Sequence, residues 1–261
     1  MTRIARVFSE KPKVLVAYIT AGDPTPKRTP ALVAALERGG ADLIELGIPF
    51  SDPVADGPVI MRAGDRALKA GTTVAKVLEI AREIRRTSEI PLLLFTYLNP
   101  VIRYGLDRLA ADAKAAGIDG CLLIDASVEE AESYVNAMRA AGLDTVFLVA
   151  PTSTERRLQL VAQYSSGFVY LVSRTGVTGV QNTVSETVGP LLAAVRAATK
   201  LPLAVGFGIS TPAHVAEIAK VADGIVVGSA FMRLIEENAA APDLEQKLET
   251  FTRSLKEPIC K

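Results

Sequence analysis

The chain has 261 residues, 49% of them hydrophobic, and 29 basic side chains balance 29 acidic ones to a formal charge of zero. That length is ordinary for one α/β barrel, the apolar content excludes disorder, and the charge balance excludes long-range attraction to nucleic acid or anionic lipid. The single histidine, His214, sits in what reads as a helix start, and Cys121 and Cys260 lie far apart. These residues leave no Ser-His-Asp catalysis, no metal-ligand set and no disulfide framework. Met1 to Arg6 lacks the apolar stretch of a secretory signal, and no apolar run reaches membrane-span length, so no membrane association is expected and a cytoplasmic location is.

Residues 2–10 read as a helix that plugs the bottom of the fold. Short apolar runs of strand length follow at 14–20, 41–47, 91–97, 120–125, 145–150, 168–173, 203–206 and 224–228. Between them lie helical patterns. Ala31 to Arg38 ends at Gly39-Gly40, and Val74 to Ile84 is amphipathic. Leu109 to Ala116 and Glu129 to Ala141 each end at a glycine, and Thr154 opens the next helix. Pro190 to Ala198, Phe231 to Asn238 and a terminal helix from Leu244 to Leu255 complete the series. Eight strand–helix units predict a (β/α)8 TIM barrel with extra N- and C-terminal helices, in one domain spanning 1–261. The rival, an open doubly wound sheet, would carry Gly-x-Gly-x-x-Gly after its first strand, and this chain does not.

Glu45 lies at the end of the second run, and Asp52 and Asp56 follow in the next loop. An acid in a buried strand must be paired or used, because its charge is costly away from water. Two readings stay open from this segment: acid–base chemistry without a metal, or a strand-end cap beside an Asp-Pro turn. Gly206-Phe207-Gly208 follows the seventh strand, and Gly228-Ser229 opens a helix after the eighth. That is where barrels bind phosphate, with ordinary turn chemistry as the alternative. Ser173 to Gly179 is a third Gly-rich contributor. Tyr18, Tyr97, Leu123, Asp125, Tyr170 and Phe207 are read as facing inward at strand ends, as a slot for a flat ring or as barrel core.

On Glu45 to Pro58, Ala21-Gly22-Asp23-Pro24, Ser173 to Gly179 and Gly206 to Ser210, the chain resembles the tryptophan synthase alpha family over nearly its whole length. The resemblance implies a lyase that cleaves indole-3-glycerol phosphate to indole and glyceraldehyde 3-phosphate without a cofactor. It implies a beta-subunit partner in an alpha2beta2 assembly. It assigns Glu45 and Asp56 as the catalytic acids, and Gly179, Gly208, Gly228 and Ser229 as phosphate backbone. Tyr18, Tyr97, Leu123, Tyr170 and Phe207 match the indole pocket, and Arg174 and Thr178 the lid. Asp52, Pro53, Asn99 and Pro100 match loops that meet the beta subunit. Two departures stand out. Asp125-Ala126-Ser127 replaces a turn that commonly contains proline, and Met61 stands where many members have glutamine. A free-standing indole-releasing lyase, or a weakly active module that activates the beta subunit, are the alternatives.

Overall fold

The computed structural model describes residues 1–172, 184–206 and 208–260, with the backbone alone for 184–188. Eight strands form a closed barrel in chain order, each parallel to its neighbours: β1 (Val14–Thr20), β2 (Leu43–Gly47), β3 (Leu92–Thr96), β4 (Gly120–Leu123), β5 (Asp144–Val149), β6 (Val169–Val172), β7 (Leu203–Gly206) and β8 (Gly224–Val227). The helices are α1 (Arg3–Glu10), α2 (Thr29–Arg38), α3 (Pro58–Lys69), α4 (Val74–Arg85), α5 (Leu98–Tyr104), α6 (Leu106–Ala115), α7 (Glu132–Ala140), α8 (Glu155–Tyr164), α9 (Val184–Ala198), α10 (Pro212–Ile218), α11 (Ser229–Glu237) and α12 (Leu244–Lys256).

Successive side chains of a strand face opposite sides of the sheet, and the apolar residues divide accordingly. Val16, Leu43, Leu93, Leu122, Val146, Ala204 and Val226 fill the barrel interior. Ile4 and Val7 of α1 close its bottom, and Phe8 packs on Phe168 with ring centroids 5.4 Å apart. The alternate residues, such as Leu15, Ile44, Leu94 and Ile225, join the layer of barrel against helices. The chemistry is thereby left to the opposite, C-terminal end of the barrel.

One polar device recurs at the closed end. Asp42 donates its N–H to the Leu15 carbonyl, and its carboxylate accepts the Leu15 N–H at 2.7 Å. Asp119 repeats this with Leu92, and Asp223 with Leu203. At the β5–β6 pair Ser166 does the same with Thr145, its hydroxyl held by Asp144. Each odd strand is thus clamped to the even strand after it. The buried aspartates are also charge-paired: Asp42 with Lys11 and Lys256, Asp119 with Arg3 and Arg85.

Several helix boundaries differ from the sequence expectation. α3 and α5 occupy segments to which the sequence reading gives no helix, because Pro58 and Asn99-Pro100 look like turn residues. Both prolines lie in a first helical turn, where a missing N–H costs nothing. α9 starts at Val184 rather than Pro190, which lies inside the helix. The segment expected as a helix from Glu129 splits into a 3-10 turn, Val128–Glu130, and α7. At the turn that departs from the family pattern, Ser127 donates to Glu129, and Glu129 pairs with Arg157 at 3.0 Å. Those side chains order the turn without a proline.

Replacing Asp42 or Asp119 with alanine strands a backbone N–H and two cations. Each change is expected to lower unfolding free energy by about 2–4 kcal/mol in urea titrations. Breaking the exposed Lys76–Glu79 pair is expected to change it by less than about 0.5 kcal/mol.

Candidate active site

Toward the C-terminal end of the barrel the inward-facing side chains emerge from the core. Leu93, Leu122, Val146 and Phe168 are buried, whereas Phe95, Ile124, Leu148 and Tyr170, two residues further along each strand, are partly exposed. Sequence reasoning missed Phe95, Ile124 and Leu148. The strand register that pairs Phe95 with Leu122 is the signal that finds them, since it sets which parity faces inward. The same register corrects Leu123. It pairs with Thr96 and packs in the layer between barrel and helices, not in the cavity. Asp125 is also corrected: it is exposed, and its carboxylate accepts the Leu98 N–H at 2.7 Å, capping α5. Asn99 and Pro100 lie in the first turn of that helix rather than in a loop.

Glu45 sits in β2 between Tyr18 of β1 and Leu93 of β3. It is 1% exposed, and its Oε1 has no hydrogen-bond partner among the described residues. Burial pushes its carboxyl up to about 8, with no described group compensating an ionised form. Two glycines make room for its aromatic neighbours. A Cβ on Gly47 would lie 2.3 Å from the Tyr18 hydroxyl, and one on Gly206 would lie 2.3 Å from the Tyr170 hydroxyl. Those phenols therefore stand over the barrel axis. Tyr18 meets the Phe95 edge at 5.2 Å, and its hydroxyl is 3.2 Å from Thr20 Oγ1.

Asp56 is half-buried in the loop between β2 and α3. Turns closed by Val54 N–H to Asp52 and Asp56 N–H to Pro53 shape that loop. Tyr97 holds it: the hydroxyl accepts the Ala55 N–H at 3.1 Å and lies close enough to the Asp56 carboxylate to favour its charged form. Phe50 stacks on Tyr97 with centroids 5.2 Å apart. Burial pushes Asp56 up to about 6, with the Tyr97 hydrogen bond acting against it. Burial raises the Tyr18 phenol further, and the charges of both Asp56 and Glu45 add to it. Both acids thus lie within electrostatic reach of one phenol. Between about pH 6 and 8 the pair holds one ionised carboxylate and one neutral acid.

Across the mouth, Gly208 follows β7 with φ +69°, in open space. Gly228 caps α11, and Ser229 begins it. A helix start leaves its first N–H groups unsatisfied and favours an anion. Phe207, Arg174, Thr178 and Gly179 lie outside the described residues. Among the described residues, no group of three His, Cys, Asp or Glu is arranged to hold a metal ion.

The family model of the tryptophan synthase alpha chain matches residues 4–259. The tryptophan synthase alpha chain of Solibacter usitatus is 72% identical over 260 residues, covering 98% of this chain and 97% of the relative. That of Geobacter sulfurreducens is 48% identical, covering 99% of each. Among solved structures, the tryptophan synthase alpha subunit of Legionella pneumophila superposes with a TM-score of 0.91 at 39% identity, covering 99% of this chain and 98% of that one. A chain of the tryptophan synthase a2b2 complex from Pyrococcus furiosus superposes at 0.88 with 40% identity, covering 95% and 99%.

The Glu45 carboxyl has a raised value in the fold, so its contribution to stability is complete below about pH 4.5 and is lost as pH rises through about 8. A Glu45→Gln variant escapes that loss. Its thermal midpoint is expected to match that of the unsubstituted chain at pH 4, and to exceed it by a margin that widens up to pH 9.

Proposed function

The chain belongs to the tryptophan synthase alpha chain family, and from that premise we propose that Glu45 and Asp56 carry out its lyase reaction. The reaction cleaves indole-3-glycerol phosphate into indole and glyceraldehyde 3-phosphate. An indole carbanion is a poor leaving group. Protonating C3 first turns the ring into an electron sink, and the C–C bond then breaks in retro-aldol fashion. Neutral Glu45 supplies the proton to indole C3. Ionised Asp56 takes up the positive charge that develops at the ring N–H. The Glu45 carboxylate then removes the proton of the glycerol hydroxyl next to the ring, the C–C bond pair returns to the ring, and the new carbonyl departs as aldehyde. Glu45 ends protonated, ready for another turnover.

The observation that carries this reading is that a fully buried acid, Glu45, and a half-buried one, Asp56, both lie within electrostatic reach of the Tyr18 phenol, with burial raising Glu45 the more. That division of labour follows from environment alone. Tyr18, Tyr97, Tyr170 and Phe207 flank the indole ring, with Phe95, Ile124 and Leu148 beneath it. Gly179, Gly208, Gly228 and Ser229 hold the phosphate, and Arg174 and Thr178 belong to the lid that excludes water. The chain works as one domain, 1–261, in the cytoplasm. No described helix is long and apolar enough to cross a membrane.

The chain pairs with a tryptophan synthase beta subunit in an alpha2beta2 assembly. The surface that supports this lies beside the cavity mouth. Val54 is 86% exposed and Ile102 65% exposed, among Asp52, Pro53, Asn99 and Pro100. Large apolar side chains left in water next to a site fit a partner interface.

Indole release by purified chain tests the roles. Glu45→Gln is expected to lower kcat by ~10²–10⁴-fold, and Asp56→Asn by ~10²–10³-fold. In the unsubstituted chain, kcat/KM against pH is expected to form a bell with limbs near 6 and 8. Unchanged rates in both variants would remove these assignments.

A further inference from the structure

A charged cluster beside the site is not used by the steps above. Arg66, two turns into α3, donates Nε and Nη2 to the Asp23 carboxylate at 2.7 and 2.8 Å. Its Nη1 donates to Glu236 of α11 at 2.7 Å. Arg62, one turn earlier, grips the same carboxylate with Nε at 2.7 Å and Nη2 at 2.8 Å. Three segments meet there: the turn after β1, the helix that follows the Asp56 loop, and the helix that starts at the phosphate cradle.

None of these groups is comfortable alone. The Asp23 side chain is fully buried, and burial raises its carboxyl while Arg66 works the other way. Arg62 and Arg66 are like charges one turn apart on a helix, which repel. Glu236 is an acid in the last turn of α11, where the helix dipole opposes it. The forked contacts reconcile all four, and bidentate guanidinium–carboxylate pairs fix geometry as well as charge.

The cluster's position in the chain gives it a second consequence. α3 starts at Pro58, two residues after Asp56, and α11 starts at Ser229 in the cradle. α11 is also tied to β1, where Met232 Sδ accepts the Thr20 N–H at 3.3 Å. The fully buried residues of α3 are the small Ala63, Gly64 and Ala67, with Val59 and Ile60 packing partly buried in its first turn, so over its later turns the polar contacts carry much of its axial position. We infer that the Asp23–Arg66–Glu236–Arg62 clasp sets the distance between the Asp56 carboxylate and the phosphate cradle, making Arg66 and Glu236 positioning residues for the cleavage. The inference rests on the roles given to Glu45 and Asp56 above. Misplacing a reacting group by an ångström costs up to about a hundredfold in rate, so a clasp outside the cavity governs turnover without touching substrate.

Glu236→Gln and Arg62→Met test this, since both leave the Asp23–Arg66 pair intact and keep the buried acid partnered. Circular dichroism checks the fold of each. The readouts are kcat, KM, the acidic limb of the pH profile, and the affinity for inorganic phosphate. For Glu236→Gln, kcat is expected to fall ~10-fold or more while phosphate affinity holds. The acidic limb is expected to move below 6, as Asp56 loses part of its burial. Arg62→Met is expected to show the same pattern more weakly. Unchanged kcat in both variants, or a loss of kcat with the limb still near 6, overturns the clasp while leaving the parent chain active. A parent chain that binds phosphate but releases no indole overturns the roles of the two acids, and the clasp with them.

Discussion

A carboxyl group buried in the barrel, with one oxygen unpartnered among the described residues, is the constraint around which this structure is arranged. Glu45 cannot ionise cheaply, because it is buried and its Oε1 has no hydrogen-bond partner among the described residues. The fold accepts the cost of an acid that stays neutral into the physiological range. Its neighbours accommodate that state. Tyrosine rings from β1 and β6 crowd over it, and glycines in β2 and β7 supply the space their hydroxyls need. Asp56, on a loop at the rim with a tyrosine hydroxyl to bind its charge, is pushed up less and ionises first. Two carboxyls of similar chemistry are thus set apart by depth and, for Asp56, by the tyrosine hydroxyl beside it.

Such an arrangement requires a frame that does not relax around the acid. The closed end provides it. The clamps at Asp42, Asp119, Ser166 and Asp223 bind each odd strand to the next even one, and α1 seals the interior beneath them. Strand register is then fixed at the bottom, and register decides which side chains face the cavity at the top. The ion-paired cluster of α3 and α11 extends the same control to the rim, where no strand pairing acts. The strand clamps are concentrated at one end and the two raised acids lie toward the other, in line with the usual division in a parallel barrel.

Much of this was legible in the residues. Strand positions show as short apolar runs between glycine-punctuated helices, and an acid at the end of such a run marks Glu45. What was hidden depends on pairing across the sheet or on distance along the chain. In Cys121-Leu122-Leu123-Ile124 every residue is apolar, so alternation is invisible, and Leu123 was placed inward where Leu122 and Ile124 belong. Pro58 and Pro100 look like turn residues, yet each lies in the first turn of a helix. Asp125 looks like a site acid but caps α5. Nothing local connects Asp23 to Arg66, or Arg66 to Glu236, because these partners are joined only when the barrel closes. The clamps lie between these extremes. Gly40-Ala41-Asp42 and Gly117-Ile118-Asp119 repeat a spacing whose meaning appears once the strands are paired.

The most direct test of the account is a titration of the side-chain carboxyl carbons of Glu45 and Asp56 by 13C NMR in the ligand-free chain, with Glu45→Gln and Asp56→Asn used to assign the two signals. The account predicts midpoints near 8 for Glu45 and near 6 for Asp56, with the Tyr18 ring responding to both. Two carboxyls that titrate together in the ordinary range of exposed acids, about 4, would contradict it.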